Sequence, residues 1–185
     1  MKVLKGIGLF IAALVVVILL VGLVMPTEYS VSRSILLTKS RAEVFPLVSS
    51  LQSQEKWSPW VDYDPNMKVV FTGTSGTVGE QSAWEGNSDV GKGTQVIKEI
   101  KANEMVHNQL TFEEPFTSVS DAYILLTDEA DGTRVTWKME GAQPYPTNVM
   151  ALFVDLNDLI GKDFDKGLNK LKKLSEAAPT PMASR

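Results

Sequence analysis

The chain has no cysteine and a single histidine, His107, among its 185 residues. Without cysteine it can form no disulfide and cannot be attached to a membrane as a cysteine-linked lipoprotein, and either redox compartment remains possible. One histidine cannot supply a His-rich zinc site or a histidine-activated nucleophile. We therefore expect no metal and no cofactor, assign no catalytic residue, and predict that His107 faces away from the core.

Basic residues are also scarce, with 18 Lys and Arg against 22 Asp and Glu. Lys2 and Lys5 precede an apolar run at the amino terminus, so the rest of the chain has 16 basic residues against 22 acidic ones. This acidic excess argues against a nucleic-acid partner and against broad electrostatic docking onto anionic lipid. The glycines within 73–79 lack the Gly-Lys-Ser/Thr ending of a phosphate-binding loop.

Residues 6–25 form one long apolar run without a charge. A hydrocarbon layer about 30 Å thick requires roughly 20 apolar helical residues, and only a helix satisfies its own backbone there. We predict a transmembrane anchor over residues 1–26 that contacts the membrane through 6–25. The alternative is a cleavable signal peptide, but its apolar core would be about 7–15 residues and would precede a small-residue cleavage site.

The flanking charges give the expected orientation of this single-pass anchor. Lys2 and Lys5 favour a cytoplasmic amino terminus, which places the following domain outside the cytoplasm. Arg33, Lys39 and Arg41 lie within the window that the same rule counts on the other side, and they weaken the asymmetry. An extracytoplasmic domain is therefore our expectation.

Residues 27–176 are predicted to form one domain, followed by a flexible Pro/Ala/Ser-containing tail at 177–185. Alternating apolar residues predict seven strands, at 29–37, 67–72, 79–86, 93–101, 105–113, 119–127 and 133–140. Asp131 and Gly132 form a hairpin signal between the last two. A short helix is predicted at 40–51, because Ser40 and Glu43 have the spacing of a capping box.

From residue 147 the apolar period becomes helical, which predicts one long terminal helix. Its stripe consists of Val149, Leu152, Phe153, Leu156, Leu159, Ile160, Phe164, Leu168 and Leu171. Gly161 and Gly167 interrupt the stripe, and they either bend the helix or allow a neighbour to approach closely. A seven-stranded antiparallel sheet covered by one long helix is an α+β architecture.

Large apolar side chains are the best candidates to line a ligand cavity. Aromatic rings with a polar edge suit an apolar pocket, although each ring could equally serve only in packing. The candidates are Trp57, Trp60, Trp84, Trp137, Met139, Phe153 and Leu156.

Arg33 is the one charged candidate, since it shares a strand face with Val31 and Ile35. An inward charge needs a partner. Either it forms an ion pair with one of three carboxylates, or it binds the acidic head of an amphipathic ligand. The three carboxylates, which would also be acid–base candidates if buried in a pocket, are Glu85, Glu140 and Asp155.

Six short sequence motifs resemble those of a known family. They are VSRSI at 31–35, WSPW at 57–60, DPNM at 64–67, WEGN at 84–87, GTRVTW at 132–137 and GKDFDKGL at 161–168. In this order, after an apolar anchor, the domain resembles the SRPBCC (START-like) superfamily, in its polyketide cyclase/dehydrase and lipid transport group. Anchored proteins of this kind are mostly bacterial.

This resemblance implies a helix-grip (START/Bet v 1-like) fold, in which a curved sheet of about seven strands surrounds a long carboxyl-terminal helix and an apolar cavity. It implies binding or transport of a hydrophobic small molecule or lipid at the membrane. Some relatives of this kind catalyse cyclisation or dehydration, so an enzyme using the same cavity is one alternative. A protein-interaction module at the membrane is the other, because a fold does not determine function.

Overall fold

The computed structural model describes residues 2–177. Its helices are α1 (Lys2–Gly22), α2 (Arg41–Val48), α3 (Leu51–Glu55) and α4 (Leu156–Ala177). Its strands are β1 (Glu28–Leu37), β2 (Lys68–Thr72), β3 (Gln81–Glu85), β4 (Lys92–Lys101), β5 (Met105–Glu114), β6 (Ser118–Glu129) and β7 (Gly132–Ala142). Two 3₁₀ turns lie at Trp60–Asp62 and Thr147–Leu152. Apart from Ala177, the tail predicted at 177–185 lies outside the described residues.

The seven strands form one antiparallel sheet in the order β1-β7-β6-β5-β4-β3-β2, with α4 packed across it. The predicted α+β helix-grip architecture is therefore confirmed. Asp131 and Gly132 lie in the β6–β7 hairpin, as predicted. Gly132 has φ +140°, and the Leu37 carbonyl lies where its Cβ would be, so only glycine fits this turn.

The strand register defines the two ends of the sheet. Glu28 at the start of β1 is opposite Ala142 at the end of β7, and Lys68 at the start of β2 is opposite Glu85 at the end of β3. The residue pairs of the other strands follow the same alignment. The 86–91 and 115–117 loops and the segment after β7 therefore lie at one end of the sheet, the end nearest α1. We call this the anchor-side end, and the opposite one, with loop 73–80, the far end.

The core lies between the inner face of the sheet and α4. Its main cluster of buried side chains is Val31, Leu37, Val44, Val48, Trp57, Ile124, Leu126, Val135, Trp137, Met139, Phe164, Leu168 and Leu171. Burying each aliphatic or phenyl side chain contributes about 1.5–3 kcal/mol relative to leaving it exposed. The apolar stripe of α4 therefore covers the inner face of the sheet.

The terminal helix begins at Leu156, nine residues later than predicted. The carboxylate of Asp155 accepts hydrogen bonds from the backbone N–H groups of Asn157 and Asp158, at 2.9 and 3.2 Å. This N-cap starts a new helix and separates it from the 3₁₀ turn. Because the helical phase is interrupted here, Phe153 and Leu159 of the predicted stripe are exposed.

The two glycines of α4 allow close approach, the second of the two alternatives. The guanidinium group of Arg33 occupies the place of a Cβ on Gly161. The Trp137 ring lies 2.8 Å from the ideal Cβ position of Gly167. The helix is continuous through both positions. The glycines therefore bring α4 closer to β1 and β7 than any other residue would permit.

The helix predicted at 40–51 is divided into α2 and α3. The Glu43 carboxylate accepts hydrogen bonds from the backbone N–H and hydroxyl of Ser40, at 3.0 and 2.7 Å, which lowers the pKa of Glu43. The predicted capping pair is therefore present. A second cap, in which the Ser50 hydroxyl accepts from the Ser53 N–H at 3.1 Å, begins α3 in a new direction.

Helix α1 is the amino-terminal apolar helix. Among the described residues, Val3–Gly22 is the one helical stretch long and apolar enough to cross a membrane, and only Gly22, at its carboxyl end, is buried in the protein. A signal sequence would meet the same criterion. The carboxyl end of α1 contacts the Thr147–Leu152 turn.

Candidate functional site

A cavity of about 270 Å³ lies between the inner face of the sheet, α3, the segment 57–67 and the first turns of α4. Most of its lining is apolar: Leu51, Trp57, Trp60, Met67, Val69, Trp84, Val90, Leu110, Phe112, Ala122, Trp137, Met139, Ile160 and Phe164. Its polar lining residues are Gln54, Glu55, Ser58, Ser82, Gln95 and Asp163. A largely apolar hollow with a few polar groups is the usual form of a small-molecule site.

Five of the eight residues predicted to line a cavity do so: Trp57, Trp60, Trp84, Trp137 and Met139. The structure places the other three outside it. Phe153 is 68% exposed beyond the 3₁₀ turn, and Leu156 lines a separate depression beside β1. Arg33 lies at the junction of β1 and α4. Sequence reasoning misplaced Phe153 and Leu156 because it continued α4 through the break at Asp155.

One wall of the cavity is a cluster of aromatic rings around Trp137. The Trp137 ring stacks on Phe164 at 4.1 Å and meets Trp57 and Trp60 edge-on at 5.0 and 5.6 Å. The indole N–H of Trp57 donates to the Leu47 carbonyl at 2.9 Å, so its polar edge is satisfied inside the core. Such pairs add about 0.5–1.5 kcal/mol each beyond simple burial. This wall is therefore rigid.

The opposite wall depends on Trp84, which meets Phe112 edge-on at 5.6 Å. The Trp84 ring crosses β4 at Gly93, where it lies 2.5 Å from the ideal Cβ position. A side chain at position 93 would displace the ring. The glycine thus allows Trp84 to lie flat along the cavity.

A cluster of amides lies beside the cavity, and sequence reasoning missed it. The Gln54 amide nitrogen donates to the Val48 carbonyl at 2.8 Å, while its oxygen accepts from Gln95 at 3.2 Å and Asn108 at 2.9 Å. Asn108 is buried, and its Oδ1 has no partner among the described residues. The sequence signal was present, since Asn108 shares its strand face with Val106 and Leu110.

Glu55 adds a carboxyl group to the cavity lining and was also missed. Burial raises the pKa of Glu55, because removal from water disfavours the charged form. Among the described residues, no side chain or backbone group forms a hydrogen bond with the Glu55 carboxyl group. The Glu55 carboxyl therefore retains its hydrogen-bonding capacity for a bound molecule.

The segment 57–67, which covers one side of the cavity, is tied to α4. The Tyr63 hydroxyl donates to the Asp163 carboxylate at 2.5 Å, and this bond raises the pKa of Tyr63. Lys170 and Lys166 lie 2.7 and 3.0 Å from the two carboxylate oxygens of Asp62, whose pKa they lower. Exposed pairs of this type are individually weak. The segment 57–67 is thus held against α4 by several contacts, none of which is strong by itself.

A buried carboxylate, Glu80, holds α3 in place. It is 1% exposed, and its two oxygens accept from the backbone N–H groups of Leu51 and Gly76, at 3.1 and 2.6 Å. Leu51 is the first residue of α3, whose initial N–H groups have no partner within the helix. Glu80 therefore positions the helix that carries Gln54 and Glu55.

Arg33 forms a clamp at the edge of the sheet. Its guanidinium donates to the Asn157 side chain and carbonyl, both at 2.9 Å, and its Nε lies 3.4 Å from Asp165. Arg33 forms an ion pair, as the first alternative predicted, but its partner is Asp165 and not one of the three predicted carboxylates. None of them lines the cavity: Glu85, Glu140 and Asp155.

His107 points away from the core, as predicted. Its Nε2 lies 2.8 Å from the Asp121 carboxylate, and its ring stacks on Tyr123 at 4.5 Å on the outer face of the sheet. It therefore takes no part in the cavity.

Several solved structures share this fold. The di-domain ARO/CYC StfQ from the steffimycin biosynthetic pathway aligns with TM-score 0.61 at 8% identity, over 81% of this chain and 51% of that chain. Ara h 8.0201 aligns with TM-score 0.57 at 9% identity, over 82% and 99%. A protein from Thermobifida fusca aligns with TM-score 0.59 at 20% identity, over 79% and 92%. At these identities the likeness shows the fold alone.

No curated protein matches the sequence. The sequence profile of one family, described as polyketide cyclase / dehydrase and lipid transport, matches residues 28–176. That match covers the whole sheet and nearly all of α4, and it agrees with the resemblance of the sequence motifs. The chain therefore belongs to the polyketide cyclase / dehydrase and lipid transport family.

Proposed function

We propose that this protein binds a hydrophobic small molecule or a lipid in its internal cavity, while α1 anchors it to a membrane. The cavity of about 270 Å³ is the observation that carries the proposal. Protein interiors are close-packed, so a hollow of this size leaves its apolar walls without packing partners. A bound apolar molecule would cover those walls, which contributes about 25 cal/mol for each Å² of apolar surface removed from water.

The cavity also suggests the chemistry of its ligand. Trp57, Trp84 and Trp137 offer flat apolar surfaces, whereas Glu55 offers acceptor oxygens on the α3 side. A rigid or aromatic apolar body with one hydroxyl or amine group matches this distribution. The apolar body would supply the affinity, and the donor group would fix the orientation.

Filling the cavity tests the proposal directly. Ala122 is 5% exposed and lines the cavity from β6, so A122L should occupy the void without exposing apolar surface. We expect the affinity for 2-naphthol, measured by its fluorescence in the detergent-extracted full chain, to fall at least about tenfold, which is 1.4 kcal/mol. Native mass spectrometry of the same preparation would show whether a cellular molecule is retained.

The matched control is A83L, because Ala83 follows Ser82 on β3 and projects from the opposite face of the sheet. It should leave 2-naphthol binding unchanged. Equal affinity in wild type, A122L and A83L would contradict the cavity as the binding site.

Glu55 gives a pH-dependent prediction. Its pKa is raised in the folded state, so the penalty for ionising it grows as the pH rises from the ordinary carboxyl pKa to the raised one, and it is absent below the ordinary value. E55Q should therefore increase thermal stability at pH 7 and have no such effect under acidic conditions where wild-type Glu55 is protonated. Thermal unfolding followed by near-ultraviolet circular dichroism at the two pH values measures this difference.

The same position tests the polar end of the site. E55L should weaken 2-naphthol, which has a hydroxyl donor, more than 2-methylnaphthalene, which has the same ring system without one. Equal losses for the two probes would contradict hydrogen bonding by Glu55 and leave the apolar cavity intact.

Glu55 also favours a second candidate, an acid–base reaction on the bound molecule. Because its pKa is raised, the Glu55 carboxylate is a stronger base than an exposed carboxylate and can exchange a proton with a bound molecule. The E55Q variant would then still bind a cyclisation or dehydration substrate but convert it more slowly. Binding is the preferred function, because the second lining carboxylate, Asp163, is already engaged by Tyr63.

Membrane attachment completes the proposal. Val3–Gly22 has the length and composition of a membrane span, and the domain follows it after a short connection. Lys2 and Lys5 favour an extracytoplasmic domain. The tether would raise the effective concentration of membrane-derived ligands at the cavity.

A further inference from the structure

A group of exposed apolar residues lies at the anchor-side end of the sheet. Phe116 in the β5–β6 loop is 77% exposed, and Met150, Leu152 and Phe153, in and after the Thr147–Leu152 turn, are 52%, 46% and 68% exposed. We call these four residues the apolar rim. Isolated exposed apolar residues are common, but several at one end of a domain mark an interaction surface.

The Thr147–Leu152 turn, which contains two of the four rim residues, is hydrogen-bonded to the carboxyl end of α1. The side-chain amide of Asn148 donates to the Gly22 carbonyl at 2.7 Å, which satisfies one of the carbonyls left unpaired at a helix end. Asn148 is 1% exposed, and the Val149 methyl group lies 2.5 Å from the ideal Cβ position of Gly22. The position of the turn relative to α1 is therefore fixed by a buried contact.

This contact determines the depth of the rim if α1 spans a bilayer, and the inference rests on that part of the proposed function. The 20 residues of Val3–Gly22 extend about 30 Å as a helix, equal to the thickness of a hydrocarbon layer. Gly22 would then lie at the boundary between hydrocarbon and headgroups. The 3₁₀ turn, which contacts Gly22, would lie at the same boundary.

The charges around the rim indicate how it would enter the membrane. Glu28, Glu114, Asp155 and Lys68 are exposed at the anchor-side end, and Lys92 there pairs with Glu113, so acidic groups are in excess. Attraction to anionic headgroups is therefore not the driving force. Insertion would depend on apolar burial and would proceed on zwitterionic lipid.

The cavity extends to the same end of the domain. Its lining residues Met67, Val90 and Ile160 are partly exposed and lie at the starts of β2, β4 and α4, whereas Leu51 and Ala122 on its inner walls are buried. The cavity therefore reaches the anchor-side end. A molecule that left the bilayer there would reach it with little exposure to water.

We infer that the apolar rim inserts into the membrane interface beside α1, so that the domain is seated with its cavity facing the lipid. The rim thereby gives the domain a second attachment to the bilayer besides the anchor. Amphipathic elements of this kind enter about 5–10 Å into the headgroup boundary.

Because the chain lacks cysteine, single-cysteine variants can test this depth in the full-length protein. F153C, A12C and V78C would carry a nitroxide label in phosphatidylcholine vesicles, with collision rates measured for oxygen and a water-soluble nickel chelate. Ala12 lies in α1, and Val78, which is 61% exposed, lies in the far-end loop. We expect the oxygen-to-nickel ratio to be highest at position 12 and severalfold higher at 153 than at 78.

The outcomes distinguish a failure of the rim inference from a failure of the membrane anchor or of ligand binding. If 153 is as accessible to nickel as 78 while 12 is in hydrocarbon, the rim inference is overturned, the anchor stands, and a membrane protein becomes the partner to seek. If 12 is in water, the anchor and the rim are both overturned. Binding of 2-naphthol by the same samples reports on the cavity independently of either result.

Discussion

W137A is expected to lower the free energy of unfolding by about 3–5 kcal/mol, the range for deletion of a large aromatic side chain from a core. Trp137 contacts Trp57, Trp60 and Phe164 and lies against Gly167, so its removal separates the sheet from α4. Denaturant unfolding of the detergent-extracted full chain, followed by near-ultraviolet circular dichroism, measures the loss.

The matched control is W84A, because Trp84 also lines the cavity but is only partly buried and pairs with Phe112 alone among aromatic rings. Its expected cost is smaller, about 1–2 kcal/mol, within the usual range for point substitutions. The two variants should also differ in ligand binding: W84A weakens 2-naphthol, while W137A, if folded, enlarges the cavity. Equal costs would contradict the central role of Trp137.

E80A is expected to be comparably destabilising, although Glu80 is neither apolar nor part of the cavity lining. Each of its hydrogen bonds, to the N–H groups of Leu51 and Gly76, involves a charged acceptor and is worth about 1.5–3 kcal/mol. The alanine variant leaves the buried Leu51 donor and the half-buried Gly76 donor without a partner, so a total loss of about 3–5 kcal/mol is expected. Affinity for 2-naphthol should fall as well, since α3 carries Gln54 and Glu55.

S50A provides the control on the same helix. Ser50 is the conventional N-cap of α3, and its loss should cost only about 1 kcal/mol. E80Q should lie between S50A and E80A, because glutamine keeps one acceptor oxygen and turns an N–H₂ group towards the other donor. If E80A were no more harmful than S50A, the buried carboxylate would not be what holds α3.

Local patterns were sufficient to predict most of the fold. Strands β6 and β7 alternate between a buried and a more exposed face over most of their length, and this alternation is visible in the sequence. The capping pair at Ser40 and the hairpin at Asp131 depend on neighbouring residues only. These features were predictable because the interactions behind them span a few residues of chain.

The start of α4 was not predictable from periodicity. Asp155 and Asp158 are a possible helix start in sequence, but the apolar residues before them fit a helical period equally well. The 3₁₀ turn before the break is also held by the contact of Asn148 and Val149 with the end of α1, more than 120 residues earlier, which no local pattern shows. Phe153 was consequently predicted in the cavity, whereas it lies in the exposed rim.

The amino acid order thus determined the apolar amino-terminal helix, the alternation of the sheet, the amphipathic stripe of α4 and the membership of the family, all of which follow from local periodicity and motif spacing. The folded arrangement alone determined which side chains meet. It joined Trp57, Trp84 and Trp137 around one hollow, placed Glu55 in the lining, and tied Arg33 to Asn157. These are contacts between strands and helices distant in sequence, and they depend on register and packing, which no local pattern encodes.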